Sequence, residues 1–141
     1  MKSRYETDFY AWAMEQAQAI REDRISVEDR ERIAEEIESL GRQEFATLRS
    51  RLSVLLAHLL KWEHQPNKRS WSWKVTIATQ REKIQEVLED NPSLQSRLAE
   101  ATAKAYRRAV LLAMKETGLE RSMFPNECPY TLEQILPPEE S

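Results

Sequence analysis

Four polar residues, Glu44, Arg51, His58 and Gln65, follow one another at intervals of seven. Seven residues are nearly two helical turns, so on a helix these side chains line one edge of a single face. The set holds a carboxylate, a guanidinium and an imidazole, enough for proton transfer beside an anion anchor. Gln80 belongs with it, because it falls at the centre of an apolar face made by Trp73, Ile77, Ile84 and Val87. A glutamine so placed must find hydrogen-bond partners or cost stability, and Arg51 or His58 can supply them. The functional reading is a polar pocket between helices, with His58 as acid/base or ligand. The plainer reading, which we favour, is a ladder of flanking side chains that point outward and satisfy one another.

A second group is basic and aromatic. Lys61, Lys68, Arg69 and Lys74 are interleaved with Trp62, Trp71 and Trp73, a mixture that can hold a phosphate backbone and stack bases. Trp62 and Trp73 fall on core-facing stripes, which leaves Trp71 as the one free ring. The chain is acidic overall, with a net charge of −3, and that disfavours a dedicated nucleic-acid binder. Metal chemistry has little support. His58 and His64 are six apart and fall on different helix faces, the single cysteine cannot build a zinc cage, and no Glu-x-x-His pair occurs. Acidic clusters such as Glu31, Glu35 and Glu38 read as solvated faces rather than a Mg²⁺ site. No phosphate loop or nucleophile elbow occurs, so no cofactor is implied and no catalytic residue is assigned.

The elements that would carry these residues are helices. The 141 residues include only two glycines, Gly41 and Gly118, and six prolines that lie outside the periodic segments. Sheets consume glycine in tight turns, so the pattern predicts an all-α bundle of about four helices in one domain, residues 1–141. A first helix is expected from Asp8 to about Glu22, capped by Thr7. Ser26 with Asp29 resembles a capping box that starts a second helix at Val27. Ile37, Gly41, Phe45, Leu48, Leu52, Leu55, Leu59 and Trp62 then keep one helical stripe. Because the phase passes through Gly41 unbroken, the second helix is expected to reach about Glu63, kinked or closely packed at the glycine. It would be about 55 Å long, more than a compact domain of this size covers, and the overhang predicts self-association.

Ser70 or Ser72 caps a third helix that ends near Glu89, ahead of Asn91-Pro92. A fourth is expected from Pro92 or Ser93 to Thr117, with Gly118 as its C-cap. Leu98, Ala101, Ala105, Ala109 and Leu112 make its stripe. An irregular strap follows, with one short turn capped by Thr131. Charge is distributed in blocks: local −4 over residues 28–38, +4 over 61–83 and −5 from Glu116 onward. These read as solvated faces that can also pair with one another or with a partner. No apolar run is long enough to span a membrane, Met1-Lys2-Ser3-Arg4 lacks a signal-peptide core, and one cysteine suits a reducing compartment, so a cytoplasmic location is expected.

Several stretches carry a resemblance. Tyr5-Glu6-Thr7-Asp8-Phe9-Tyr10-Ala11-Trp12, Glu35-Glu36-Ile37-Glu38 with Gly41, and Arg51-Leu52 through Leu55-Leu56-Ala57-His58-Leu59-Leu60-Lys61-Trp62 resemble the bacterial family catalogued as domain of unknown function 29. Ser70, Trp73, Ile77, Gln80-Arg81, Asn91-Pro92-Ser93-Leu94 and Phe124-Pro125 through Cys128-Pro129-Tyr130 extend it over nearly the whole chain. The resemblance implies an all-helical fold and no established activity, and it marks Asp8, His58, Gln80 and Tyr130 for inspection. The expected function is a non-enzymatic helical interaction or regulatory module with a protein partner. The alternative is an enzyme or small-ligand binder built on Asp8, Glu44, Arg51, His58, Gln80 and Tyr130. Nucleic-acid binding through Lys61, Lys68, Arg69, Trp71 and Lys74 ranks third.

Overall fold

The computed structural model describes residues 4–138. Met1-Lys2-Ser3 and the tail acids Glu139 and Glu140 lie outside the described residues. Within them the chain is helical and has no strand. Six α-helices run in order: α1 Arg4–Thr7, α2 Phe9–Arg21, α3 Val27–His64, α4 Trp71–Asp90, α5 Leu98–Thr117 and α6 Leu132–Ile135. Short 3-10 turns at Pro66–Lys68, Pro92–Arg97 and Arg121–Met123 link them. Four are long, as the periodicity predicts, and the two additions are single turns.

Caps account for most of the boundaries. Asp8, not Thr7, caps α2: its carboxylate accepts from the Ala11 amide at 3.1 Å, and Thr7 closes the preceding turn. Ser26 caps α3 as expected, accepting from the Asp29 amide at 3.1 Å, but the return bond of a capping box is replaced by the Ser26 hydroxyl donating to the Asp29 carboxylate at 3.1 Å. Ser70 accepts from the Trp73 amide and starts α4. Thr131 and Gln134 make a reciprocal capping box that lets the four residues of α6 form a turn. Helix α5 begins at Leu98, later than expected. Pro92 initiates a 3-10 stretch in which the Ser96 hydroxyl bonds the Ser93 carbonyl, a local alternative to the α-helical ladder.

The chain divides into two compact units, Met1–Arg42 and Gln43–Ser141. In the smaller, α2 and the first part of α3 form an antiparallel hairpin. Tyr5 donates to Glu36 at 2.6 Å and the Trp12 indole donates to Asp29 at 3.2 Å. Tyr5, Phe9 and Trp12 pack together, Tyr5 meeting the Trp12 ring edge-on at 4.7 Å. Trp12 and Ala19 are the buried apolar residues of this unit.

In the larger unit, Leu48, Leu52, Leu55, Leu56 and Leu60 of α3 are fully buried. Helix α4 runs antiparallel to α3, with Asn91 beside Glu44 at one end and Trp73 beside Lys61 at the other. Helix α5 runs parallel to α3: Ser53 meets the Ala105 carbonyl, and Lys61 meets Glu116. Ala101, Ala105 and Ala109 are buried, and their small side chains allow this close approach. The strap crosses back with Phe124 and Ile135 as its buried anchors. Arg81 holds its last turn by donating to the Ile135 and Gln134 carbonyls, each at 2.9 Å.

Two expectations about α3 divide. The helix is continuous through Gly41, as its unbroken phase predicts. Close packing at Gly41 is not found, because an added Cβ would meet nothing within 4 Å. The stripe is also not buried along its whole length. Ile37 and Leu40 are 62% and 63% exposed, and the continuous core starts only at Leu48. Gly118, in contrast, takes the left-handed φ of 76° and donates to Met114 as a C-cap should. Replacing each glycine by alanine therefore has opposite signs. In urea denaturation, Gly41→Ala is expected to raise stability by about 0.5–1 kcal/mol, and Gly118→Ala to lower it by about 1 kcal/mol or more. Equal losses at both positions would contradict this account of α3.

Candidate functional site

The polar positions of α3 do not all converge. Glu44 accepts from the Asn91 side chain at 3.2 Å and ties the start of the larger unit's α3 segment to the end of α4. His58 is half-buried, with Nδ1 2.9 Å from the Val54 carbonyl. A carbonyl only accepts, so Nδ1 is a protonated nitrogen in this contact. Arg51 is half-buried on the same edge. Gln80 is 9% exposed, and its Oε1 has no hydrogen-bond partner among the described residues. Neither Arg51 nor His58 makes the hydrogen bond to Gln80 expected from the sequence. Asp8 is occupied as the α2 cap.

Tyr130 reaches α3 by another route. Its hydroxyl donates to Glu63 at 2.7 Å. Burial, reinforced by the Glu63 carboxylate, pushes the phenol far above its ordinary value, so it stays protonated and acts as a latch. Tyr130 also lines a cavity of about 550 Å³ between α5 and the strap, with Thr102, Tyr106, Arg107 and Cys128. Tyr106 donates to the Pro125 carbonyl at 2.7 Å. The Cys128 thiol is raised by burial, which lowers its thiolate fraction and its reactivity. The Tyr106 and Tyr130 hydroxyls therefore fasten the strap, Thr102 donates within α5 to the Leu98 carbonyl, and the Cys128 thiol is not activated.

The basic, aromatic stretch separates into an inside and an outside. Lys61 is 7% exposed and does not belong to a surface. Its ammonium lies 2.5 Å from Glu116 and 4.7 Å above the Trp73 ring. The sequence shows a lysine between two core positions but not the α5 carboxylate that receives it. Arg69 folds over the Trp62 ring and donates to the Trp62 carbonyl at 2.8 Å. Lys68, Trp71 and Lys74 remain exposed, Trp71 at 78%.

A different cluster was not singled out from the sequence. Arg97, Arg49 and Lys104 all face the ring of Phe45, at 3.9, 5.5 and 5.6 Å from its centroid. Phe45 and Arg49 are one turn apart on α3, a local signal, but Arg97 and Lys104 arrive only through the parallel α3/α5 packing. Glu100 pairs with both Arg97 and Lys104. Among the described residues, no group of three or more His, Cys, Asp or Glu side chains is gathered for a metal ion. No helix is long and apolar enough to cross a membrane.

The model of the family described as domain of unknown function DUF29 matches residues 4–139. The chain belongs to the DUF29 family. No curated protein and no solved structure matches it. The DUF29 match spans both units, so the hairpin and the larger helical unit occur in a single family pattern.

The Lys61–Glu116 contact has a lopsided energy. Removing Glu116 strands a buried ammonium, whereas removing the charge of Lys61 leaves a carboxylate that already reaches water. In chemical denaturation, Glu116→Ala is expected to cost about 2 kcal/mol, and Lys61→Met to stay within about 1 kcal/mol of the parent. The reverse order would mean that Lys61 is solvated in solution.

Proposed function

We propose that this DUF29 chain is a non-enzymatic interaction module that pairs with a second copy of itself through its helical hairpin. One observation carries the reading: the hairpin leaves an apolar side uncovered. Phe9 and Ile20 of α2, with Ile37 and Leu40 of α3, are all about half exposed or more; Tyr10 and Met14 are exposed as well but lie on the face of α2 away from α3. At 100° per residue, Phe9, Ala13, Ala17 and Ile20 lie beside the face through which Trp12 and Ala19 pack on α3. Ile33, Ile37 and Leu40 lie beside the α3 face that carries Asp29 and Glu36. Because the helices are antiparallel, both apolar arcs fall on the same side of the hairpin.

Two helices alone cannot enclose a core, and two hairpins give the four-helix arrangement that can. The exposed parts of Phe9, Ile20, Ile37 and Leu40 amount to on the order of 400 Å² per copy, an apolar patch of the size that marks interaction sites and about half of what standard interfaces bury on each partner. Glu28, Glu31, Glu35 and Glu38 fall on the other side of α3, so pairing buries no carboxylate from that block. The residues that could do acid–base or nucleophilic chemistry support the non-enzymatic part. His58 has committed Nδ1 to Val54, Tyr130 is held protonated against Glu63, and the Cys128 thiol is raised.

Sedimentation equilibrium of the full chain tests this. A dimer is expected at micromolar concentration, and Ile37→Glu with Leu40→Glu should weaken dimerisation at least about a hundredfold while far-UV helicity persists. A parent chain that stays monomeric at about 100 μM, or a dimer unmoved by the double substitution, refutes the pairing.

A further inference from the structure

From the larger unit alone, and independently of the hairpin, we propose a binding site for a small phosphorylated ligand in the groove between α3 and α5. The groove holds about 440 Å³ and is lined by Ala46, Arg49, Ser50, Ser53, Lys104, Ala105 and Arg108. Every charged residue in that lining is a cation. Among the described residues neither Arg49 nor Arg108 has a carboxylate partner, and Lys104 shares Glu100 with Arg97. Three cations gathered on one groove repel one another, and a multiply charged anion offsets that repulsion.

The floor suits an anion as well as the charge does. Ala46 and Ala105 keep it low, so a ligand can approach the helices between the longer basic side chains. Ser50 is exposed and can donate its hydroxyl. Ser53 cannot, because its proton is taken by the Arg49 or Ala105 carbonyl, at 2.9 and 3.3 Å. Arg49 and Lys104 are already drawn toward the Phe45 ring, which limits the freedom they would lose on binding. Guanidinium forks favour the paired oxygens of phosphate groups. The volume fits a compact ligand bearing one or two phosphates. A long polyanion fits less well, because the chain's net charge is −3 and its field opposes one.

Titration calorimetry of the full chain with inorganic pyrophosphate, at low ionic strength, tests the site. Saturable one-to-one binding that weakens with added salt is expected. Arg49→Ala with Arg108→Ala should lower affinity at least about tenfold, and Lys104→Met should lower it further, with the far-UV spectrum and urea midpoint checking the fold. Lys68→Ala with Lys74→Ala removes the same charge outside the groove and should change affinity less than about twofold. Absence of pyrophosphate binding at millimolar concentration overturns the proposal. So does an equal loss in the Lys68/Lys74 variant, which would reduce the effect to net charge. Tighter binding of a single-stranded oligonucleotide, lost in the Arg49/Arg108 variant, would replace the small ligand with a nucleic acid.

Discussion

Burial of Leu48, Leu52, Leu55, Leu56 and Leu60 on one segment of α3 is the interaction on which the larger unit depends. All five side chains are removed from water, each contributing on the order of 2 kcal/mol of transfer free energy. They need walls on two sides, and α4 and α5 supply them. Helix α4 returns antiparallel after a short link, whereas the 3-10 stretch before Leu98 turns the chain so that α5 runs parallel to α3. That choice of direction decides what meets what. Ala105 comes to Ser53, Glu116 to Lys61, and Arg97 and Lys104 to Phe45.

The strap is held by polar contacts around two apolar anchors. Phe124 and Ile135 are buried, and near each of them a cation or hydroxyl satisfies carbonyls that the irregular backbone leaves without helical partners. Tyr106 and Arg121 serve the carbonyls near Phe124, and Arg81 serves those of α6. Arg81 sits where the carbonyls of a helical turn end, a position that favours positive charge. Its side chain is partly buried there, and burial lowers its proton affinity. It stays a cation all the same, since arginine remains protonated in proteins.

Legibility in the sequence follows the range of the interaction. Caps act over three or four residues, so Ser26, Ser70, Gly118 and Thr131 could be read directly. Thr7 failed because Asp8 can cap as well, and the turn of α1 before it decides between them. Leucine periodicity marks the core-facing side of α3 but cannot say where along the helix a partner stops. Ile37 shares the phase of Leu48 and yet is exposed, because a stripe's spacing carries no signal for where its covering ends. The candidate site was less legible than the fold. Glu44, Arg51 and His58 share an edge as the sevenfold spacing requires, but spacing along one helix does not choose the partner across it. Gln80 was placed correctly in the core, and no sequence signal showed that its Oε1 would lack a donor.

Lys61 and the Phe45 cluster show the same limit with opposite signs of charge effect. Lys61 looks like part of a basic surface when counted with its neighbours in sequence, yet its four-carbon stem lies in the core and its charge is neutralised from α5. Arg49, Lys104 and Arg108 look like ordinary solvated residues, since they are spread over sixty positions of the chain. Parallel packing of α3 and α5 brings them to one groove, and the alanines that permit the packing also keep its floor low. The residues that let two helices approach thus gather positive charge above them. A core requirement, and no motif, brings these three cations together.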